Sequence, residues 1–185
     1  GVAKVPKSTV VVGDALKVRL TKKFDLVLAN PPYGRVSPDK LRNEDWSMVC
    51  HPGHINLYAL FIDLCLRRTK TGGRIGFVIP SSFIAGPLYC KLRSSIRQRS
   101  HVKLIGHVEC REEFFLDVMQ DISLLILHRK AQARPTQPAL SNSVAFGRVD
   151  ASGQWNASPP FNLPDKESDG WVLPSAKGTS RGGAT

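Results

Sequence analysis

The chain has 185 residues, a hydrophobic content of 42% and a formal net charge of +11. This length suits one domain with its own core, and the excess of positive charge favours a polyanionic partner such as nucleic acid. Four cysteines without a C-x-x-C pair exclude a disulfide-rich secreted scaffold and favour reduced thiols in a cytoplasmic protein. No apolar run is long enough for a membrane span, and Cys50, His51 and His54 lack a fourth ligand for a metal.

The first predicted strand, residues 9–12, runs into Gly13 and Asp14. A carboxylate in this position lies at the carboxyl edge of the sheet, where open α/β folds bind their ligands. Asp14 is therefore a candidate binding residue, and the alternative is an aspartate that caps a turn.

The second predicted strand, residues 24–29, ends abruptly at Asn30-Pro31-Pro32-Tyr33. The two prolines lack N–H groups, so this stiff turn accepts hydrogen bonds but hardly donates them. The Asn30 side-chain oxygen and the Pro31 carbonyl can each accept one N–H of an exocyclic amine whose ring lies against Tyr33. Because such acceptors favour the pyramidal amine, the motif predicts transfer of an electrophilic group to that nitrogen. The alternative is a strand followed by a Pro-rich loop.

Helices and strands alternate after a polar loop at residues 34–53. Apolar periodicity predicts a helix over residues 54–70 and a second helix from Pro87, with Leu88, Leu92 and Ile96 facing inward. Strands are predicted at residues 74–80, 102–108 and 122–127, and Gly72-Gly73 is predicted as the turn that ends the first helix.

Positive charge is concentrated in residues 64–108, which contain no acidic residue. This basic block suggests a phosphate backbone as the partner, and the alternative is ordinary solvated helix faces. Within the second helix, Lys91, Arg93, Arg97 and Arg99 are predicted to point largely outward.

Asn30-Pro31-Pro32-Tyr33 after a Phe-Asp-Leu-Val-Leu strand resembles the catalytic motif of S-adenosylmethionine-dependent amino-methyltransferases. It is most similar to the DNA adenine-N6 enzymes of the TaqI type from restriction–modification systems. The similarity continues through the string Asn56-Leu57-Tyr58-x-x-Phe61, the strand that follows Gly72-Gly73 and the connector at residues 109–121. It covers residues 10–130.

The resemblance implies a class I, Rossmann-like α/β sheet, S-adenosyl-L-methionine as cofactor, and double-stranded DNA with a flipped adenine as substrate. The implied catalytic residues are Asn30, Pro31, Pro32, Tyr33 and Phe115, with Phe114 as the fallback for the second stacking ring. The implied cofactor-binding residues are Asp14, Asn30, Pro32 and Phe61. Core burial is the alternative for the two phenylalanines Phe61 and Phe115.

The class I strand order is 3-2-1-4-5-7-6, and this chain supplies counterparts of strands 3, 4, 5, 6 and 7 without the glycine-loop strands. We therefore expect residues 1–130 to form a partial catalytic domain whose strand 24–29 has an unpaired apolar edge, so that the isolated chain is poorly stable or aggregates. Residues 131–185, rich in Pro, Ser and Gly, are expected to lead towards a missing target-recognition domain.

The resemblance leaves the partners and two other functions open. Expected partners besides DNA are a missing N-terminal half, the recognition domain or a restriction subunit. The same motif also suits an amino-methyltransferase that acts on RNA or on a protein glutamine. A non-catalytic nucleic-acid-binding remnant is the alternative from a different class.

Overall fold

The computed structural model describes residues 9–18, 21–41, 44–109, 121–131, 143–164 and 170–174. Its strands are β1 (Phe24–Ala29), β2 (Thr69–Pro80), β3 (Ser100–Val108), β4 (Ile122–Arg129), β5 (Ser143–Val149) and β6 (Trp155–Asn162). Its α-helices are α1 (Leu57–Arg68), α2 (Ser82–Ala85) and α3 (Cys90–Arg99). Short 3-10 turns lie at Pro38–Lys40, Glu44–Met48 and Pro87–Tyr89. Within these ranges, no helix combines the length and the apolar character that crossing a membrane requires.

The six strands form one mixed sheet in the order β1-β2-β4-β3-β5-β6. Strand β1 runs parallel to β2, whereas β4 is antiparallel to both of its neighbours, β2 and β3. The order β1-β2-β4-β3 is the one that the class I fold gives to strands 4, 5, 7 and 6. The α/β class predicted from the sequence is therefore confirmed.

Strand β1 lies at the edge of the sheet and pairs, among the described strands, with β2 alone. Its alternate side chains Phe24, Leu26 and Leu28 are 42%, 58% and 74% exposed. Val27 and Ala29, on the opposite face, pack against the core. The expected unpaired apolar edge is thus present, with an apolar face beside it.

The core lies between the sheet and helices α1 and α3. The residues Ile62 and Leu66 of α1 and Leu92 and Ile96 of α3 are fully buried, because their spacing of four places each pair on one helix face. From the sheet, Ile75, Phe77 and Ile79 of β2 and Leu125 and Leu127 of β4 alternate into the same core.

Two side chains at the start of α3 differ from the sequence prediction. Leu88 is 44% exposed, because residues 87–89 form a 3-10 turn and the α-helical spacing begins only at Cys90. Arg93, predicted to point outward, is fully buried. Its Nη1 donates to the carbonyls of Phe83 at 3.0 Å and Gly86 at 2.8 Å, so the guanidinium ties the end of α2 to α3.

Residues 9–12, predicted as a strand, have no regular secondary structure, and Val10 and Val12 are 84% and 94% exposed. A strand needs a hydrogen-bonding neighbour, and none of the described strands pairs with this segment. Strand β2 is longer than predicted, because Gly72, with a φ of +76°, lies inside the strand where its pairing with β1 is irregular. The predicted turn at Gly72-Gly73 is therefore an irregularity in β2.

Strands β5 and β6 extend the same sheet beyond residue 130, where the sequence shows no strand periodicity. Strand β5 runs parallel to β3 and antiparallel to β6. The indole of Trp155 covers Gly106 of β3 and Gly147 of β5, where an added Cβ would lie 2.9 and 2.4 Å from the ring. The role of residues 131–185 as a connection to a recognition domain stays a prediction.

We expect Leu28→Lys to raise the solubility limit of the chain while shifting its Tm by less than about 2 °C. Leu28 is 74% exposed, so the lysine head reaches water while its stem keeps covering Gly76. Static light scattering at rising concentration and a thermal melt check this. The matched variant Ile75→Lys, at a fully buried position, should unfold the chain. Unchanged aggregation in Leu28→Lys would contradict the role given to this edge.

Candidate active site

The Asn-Pro-Pro-Tyr turn follows β1 directly, at the carboxyl edge of the sheet. Pro31 is buried, Asn30 and Pro32 are exposed, and Tyr33 is half-buried. The single proton of the Tyr33 hydroxyl has two acceptors within reach, the Val78 carbonyl of β2 at 3.2 Å and the Asn30 side-chain oxygen at 3.4 Å. Burial raises the pKa of Tyr33, so the phenol keeps its proton at neutral pH. The motif is thus fastened to the neighbouring strand.

Tyr33 lines a cavity of about 650 Å³ between the motif and the end of β2, here called the Tyr33 cavity. The walls come from the loop after the motif, the start of α1, the end of β2 and the α2 region; they comprise Tyr33, Gly34, Arg35, His54, Asn56, Tyr58, Pro80, Ser81, Ser82, Ala85, Gly86, Tyr89 and Asp121. The cavity therefore combines aromatic rings with side-chain amide and hydroxyl groups.

One wall of the Tyr33 cavity is a hydrogen-bonded network around Tyr89. The buried Asn56 amide donates to the Tyr89 hydroxyl at 2.9 Å, and the Ser82 hydroxyl donates to it at 3.4 Å. The rings of Tyr58 and Tyr89 stack with centroids 5.7 Å apart, and the Tyr58 hydroxyl lies 3.2 Å from the Ser82 hydroxyl. Sequence reasoning missed Tyr89, which belongs to no motif; its only signal was a tyrosine in the first turn of the helix predicted from Pro87.

His54 closes this wall, with its Nε2 3.4 Å from the Tyr89 hydroxyl. Burial, reinforced by electrostatic repulsion from Arg35 and from a neighbouring histidine, lowers the pKa of His54. The imidazole is therefore neutral at neutral pH, and the cavity carries no histidine charge from this residue.

A larger cavity of about 990 Å³, the Asp14 cavity, lies on the other side of the motif. It brings together Asp14, Pro32 and Phe61, three of the four predicted cofactor-binding residues. Its remaining walls are Gly13, Ala15, Leu16, Lys17, Val18, Val36, Lys40, Leu41, Trp46, Leu57, Leu60, Asp63, Leu64, Arg67 and Arg68. Asn30 is not among the residues that line it. Since the adjacent residues Pro32 and Tyr33 line different cavities, the motif forms the partition between them.

Asp14 organises its own turn. Its carbonyl accepts hydrogen bonds from the backbone N–H groups of Lys17 at 2.9 Å and Val18 at 3.0 Å, and its carboxylate accepts from the Leu16 N–H at 3.0 Å. The Lys17 ammonium lies 3.0 Å from the same carboxylate. The side chain is nevertheless exposed along the cavity wall, so the turn role and a binding role are compatible.

Phe61 of α1 is half-buried and lines the Asp14 cavity. The predicted stacking ring Phe115, and its fallback Phe114, lie outside the described residues. His51 and Cys90 approach to 3.1 Å between Nε2 and Sγ. In the described parts of the chain, no three His, Cys, Asp or Glu side chains are grouped so that they could hold a metal ion.

Solved structures identify the class of fold. A protein from Listeria monocytogenes assigned to the class I S-adenosylmethionine-dependent methyltransferases superposes with a TM-score of 0.51 at 24% identity, over 71% of this chain and 39% of that chain. The M protein of the type I restriction enzyme EcoKI gives a TM-score of 0.54 at 20% identity, over 70% of this chain and 26% of that chain. The sheet and its helices thus have the class I methyltransferase fold.

The family follows from the sequence. The family model of the Eco57I restriction-modification methylases matches residues 8–115, and the chain belongs to this family. The type II methyltransferase M.BsuBI of Bacillus subtilis is 25% identical over 74% of this chain and 27% of its own length. M.TthHB8I of Thermus thermophilus is 32% identical over 53% of this chain and 26% of its own length. The matched regions therefore span about a quarter of these curated relatives.

We expect Tyr89→Phe to lower the free energy of unfolding by about 1–3 kcal/mol, because the buried Asn56 amide loses its acceptor. Urea denaturation followed by circular dichroism measures the change. The control is Tyr33→Phe, in which a half-buried hydroxyl is removed, and it should cost less than about 1 kcal/mol. Equal losses in the two variants would show that the Asn56–Tyr89 bond does not organise this wall.

Proposed function

We propose that the chain supplies part of the catalytic domain of a DNA adenine-N6 methyltransferase of a restriction–modification system. The observation that carries this proposal is the partition formed by Asn-Pro-Pro-Tyr between two cavities. One cavity has the aromatic and polar walls that suit a base. The other combines apolar walls and the Asp14 carboxylate, which suit an adenosine moiety, with the charged residues Lys17, Lys40, Asp63, Arg67 and Arg68.

The Asp14 cavity is the proposed site of S-adenosyl-L-methionine. Its volume of about 990 Å³ and its lining side chains fit an adenosine. The Asp14 carboxylate can accept a hydrogen bond from the adenine amine, and Phe61 and Leu60 offer apolar contact. When bound, S-adenosylmethionine supplies an electrophilic methyl group. Pro32 of the motif lines this cavity and the next residue, Tyr33, lines the other, which supports a methyl donor next to the motif.

The proposed target is the exocyclic amine of an adenine extruded into the Tyr33 cavity. The Asn30 side-chain oxygen and the Pro31 carbonyl accept its two N–H groups, which directs the nitrogen lone pair towards the methyl donor. The Tyr33 ring lies against the base, and its hydroxyl, bonded to the Val78 carbonyl, keeps the ring in position. The ring of Phe115 is the proposed second stacking partner.

DNA is favoured as the substrate by the charge of the chain and by its relatives. The net charge of +11 suits a phosphate backbone, and the relatives are named type II methyltransferases. We assign residues 1–130 to a partial catalytic domain and 131–185 to a segment that leads towards a recognition domain. A complementary N-terminal half, that recognition domain and a restriction subunit are the proposed partners.

Cofactor binding by this chain is the first test. S-adenosylmethionine at about 100 times its dissociation constant should stabilise the folded chain by roughly 2.7 kcal/mol, seen as a rise in Tm. Asp14→Ala should reduce this rise, whereas Lys103→Ala, an exposed change on β3, should leave it unchanged. A folded chain whose Tm does not respond to the cofactor would contradict the assignment of the Asp14 cavity.

Methyl transfer is the second test. With cofactor and a duplex of mixed sequence, the modified base should be N6-methyladenine by mass spectrometry. Asn30→Ala should lower the rate at least about 100-fold, because it removes one of the two acceptors that polarise the amine. The affinity of Asn30→Ala for the cofactor, measured from the rise in Tm, should stay within a few fold of that of the unmodified chain. Retained turnover in Asn30→Ala, or methyl groups on RNA or on a glutamine peptide instead, would overturn the DNA adenine proposal.

A second candidate function is DNA binding without methyl transfer. Gly72 and Gly73 lie in an irregular part of β2 and not in a strand-to-helix turn, so in the described ranges they do not form a glycine-rich cofactor loop. Salt-dependent DNA binding combined with no response to S-adenosylmethionine would favour this candidate.

A further inference from the structure

A basic groove of about 640 Å³ lies between helices α1 and α3, here called the helix groove. Lys91, Ser95 and Arg99 line it from α3 at a spacing of four residues, which places them on one helix face. Asp63 and Arg67 line it from α1 at the same spacing. Two packed helices thus form most of the groove, and Ser47 and Met48 of the 3-10 turn at Glu44–Met48 complete it.

Asp63 holds the two arginines of the groove in place. Its carboxylate contacts the Arg67 guanidinium at 2.8 Å and the Arg99 guanidinium at 2.7 Å. The Asp63 side chain is only 10% exposed, whereas Arg67 and Arg99 are 49% and 24% exposed. The carboxylate is therefore beneath the guanidiniums, and it reduces the conformational freedom that they would lose on binding an anion.

Lys91 is held at the other end of the groove, where its ammonium donates to the Ser47 carbonyl at 3.0 Å. The residues that line the groove thus include three cations, Lys91, Arg67 and Arg99, and one carboxylate, Asp63, and residues 64–108 contain no acidic side chain. Lys91 and Arg99 are two helical turns apart, about 12 Å along the axis. This length exceeds the rise of one nucleotide in a DNA strand, about 3.4 Å.

The groove begins beside the Tyr33 cavity. Tyr89, in the wall of that cavity, precedes Lys91 by two residues, and Asn56, also in the wall, caps the start of α1. From there the two helices carry the groove away from the site. The adjacent residues Tyr89 and Cys90 line the Tyr33 cavity and the helix groove respectively, so the two meet at the start of α3.

We propose that the helix groove binds the phosphate backbone of DNA next to the extruded nucleotide. The inference rests on the proposed function for the identity of the ligand, and it adds a contact outside the methyl-transfer site. Guanidinium groups match phosphate oxygens in a fork geometry, and prearranged arginines pay a smaller entropic cost on binding. Asp63 is a positioning residue in this site.

The experiment measures the affinity of the 185-residue chain for a 20-base-pair duplex at several salt concentrations, without cofactor. Lys91→Gln is the deciding variant, because Asp63 and Arg67 also line the Asp14 cavity and Lys91 does not. We expect an affinity loss of about fivefold and a salt slope reduced by about one. The matched control Lys103→Gln removes the same charge from an exposed site on β3 and should change the affinity less than twofold.

Asp63→Asn separates a prearranged site from diffuse attraction. Removing a negative charge should strengthen binding about twofold or more if only net charge matters, whereas the proposal predicts at least threefold weaker binding. Circular dichroism establishes that the variant is folded, and Arg67→Gln, at an exposed position, provides a second variant with expected weaker binding.

Several results would overturn the proposal: equal losses in Lys91→Gln and Lys103→Gln, tighter binding by folded Asp63→Asn, no DNA binding at all, or a polyglutamate peptide bound as tightly as the duplex. The rise in Tm caused by S-adenosylmethionine is measured in parallel for the unmodified chain and for each variant, including Lys91→Gln. Its absence in every variant counts against the proposed function, whereas its presence with unchanged DNA affinity counts against the groove alone.

Discussion

The parallel pairing of β1 with β2 is the constraint on which the site depends. The two strands align from Leu26 with Arg74 to Ala29 with Phe77, so both end at the same edge of the sheet. Asn30, the next residue, therefore lies beside the end of β2. The Tyr33 hydroxyl can then reach the Val78 carbonyl, and the Leu57 N–H that opens α1 reaches the Gly34 carbonyl at 2.9 Å. One strand pair thus orients the motif and the first helix together.

In this position the rigid Asn-Pro-Pro-Tyr turn contributes to the walls of both cavities. Pro31 is buried and Pro32 is exposed, so the two fixed backbone angles hold one ring in the core and the other against a cavity. A flexible loop in this position would lose conformational entropy each time its acceptors bound a substrate amine. With the two prolines this ordering occurs on folding, before a substrate binds.

The sequence predicts the parts of the molecule that local chemistry dictates. The motif, α1, the cores of β2 to β4 and the edge position of β1 follow from apolar periodicity, prolines and the class I resemblance. The local sequence cannot decide whether residues 9–12 form a strand, because β-prone valines form a strand only where another strand pairs with them. Arg93 has a charged side chain of the kind usually found at the surface, and it can be buried because the carbonyls of Phe83 and Gly86 accept its hydrogen bonds. Tyr89 joins the site through tertiary packing, which no spacing reveals.

Strands β5 and β6 escaped prediction for a different reason. Pro159 and Pro160 argue against a central strand, but β6 lies at the sheet edge, where a missing N–H is tolerated. The connection between β4 and β5 is long, so no tight turn aligns β5 with β3. Strands β3 and β5 are parallel, and their alignment brings Gly106 directly beside Gly147.

The indole of Trp155 rests on these two paired glycines. A slide of β5 by one residue would turn its side chains to the wrong faces of the sheet, and a slide by two would bring a side chain under the ring. The tryptophan thus acts as a steric gauge that accepts only one alignment of the two strands. The alignment of β5 with β3 is therefore selected by the two positions without a Cβ that the indole covers, and not by a short loop between β4 and β5.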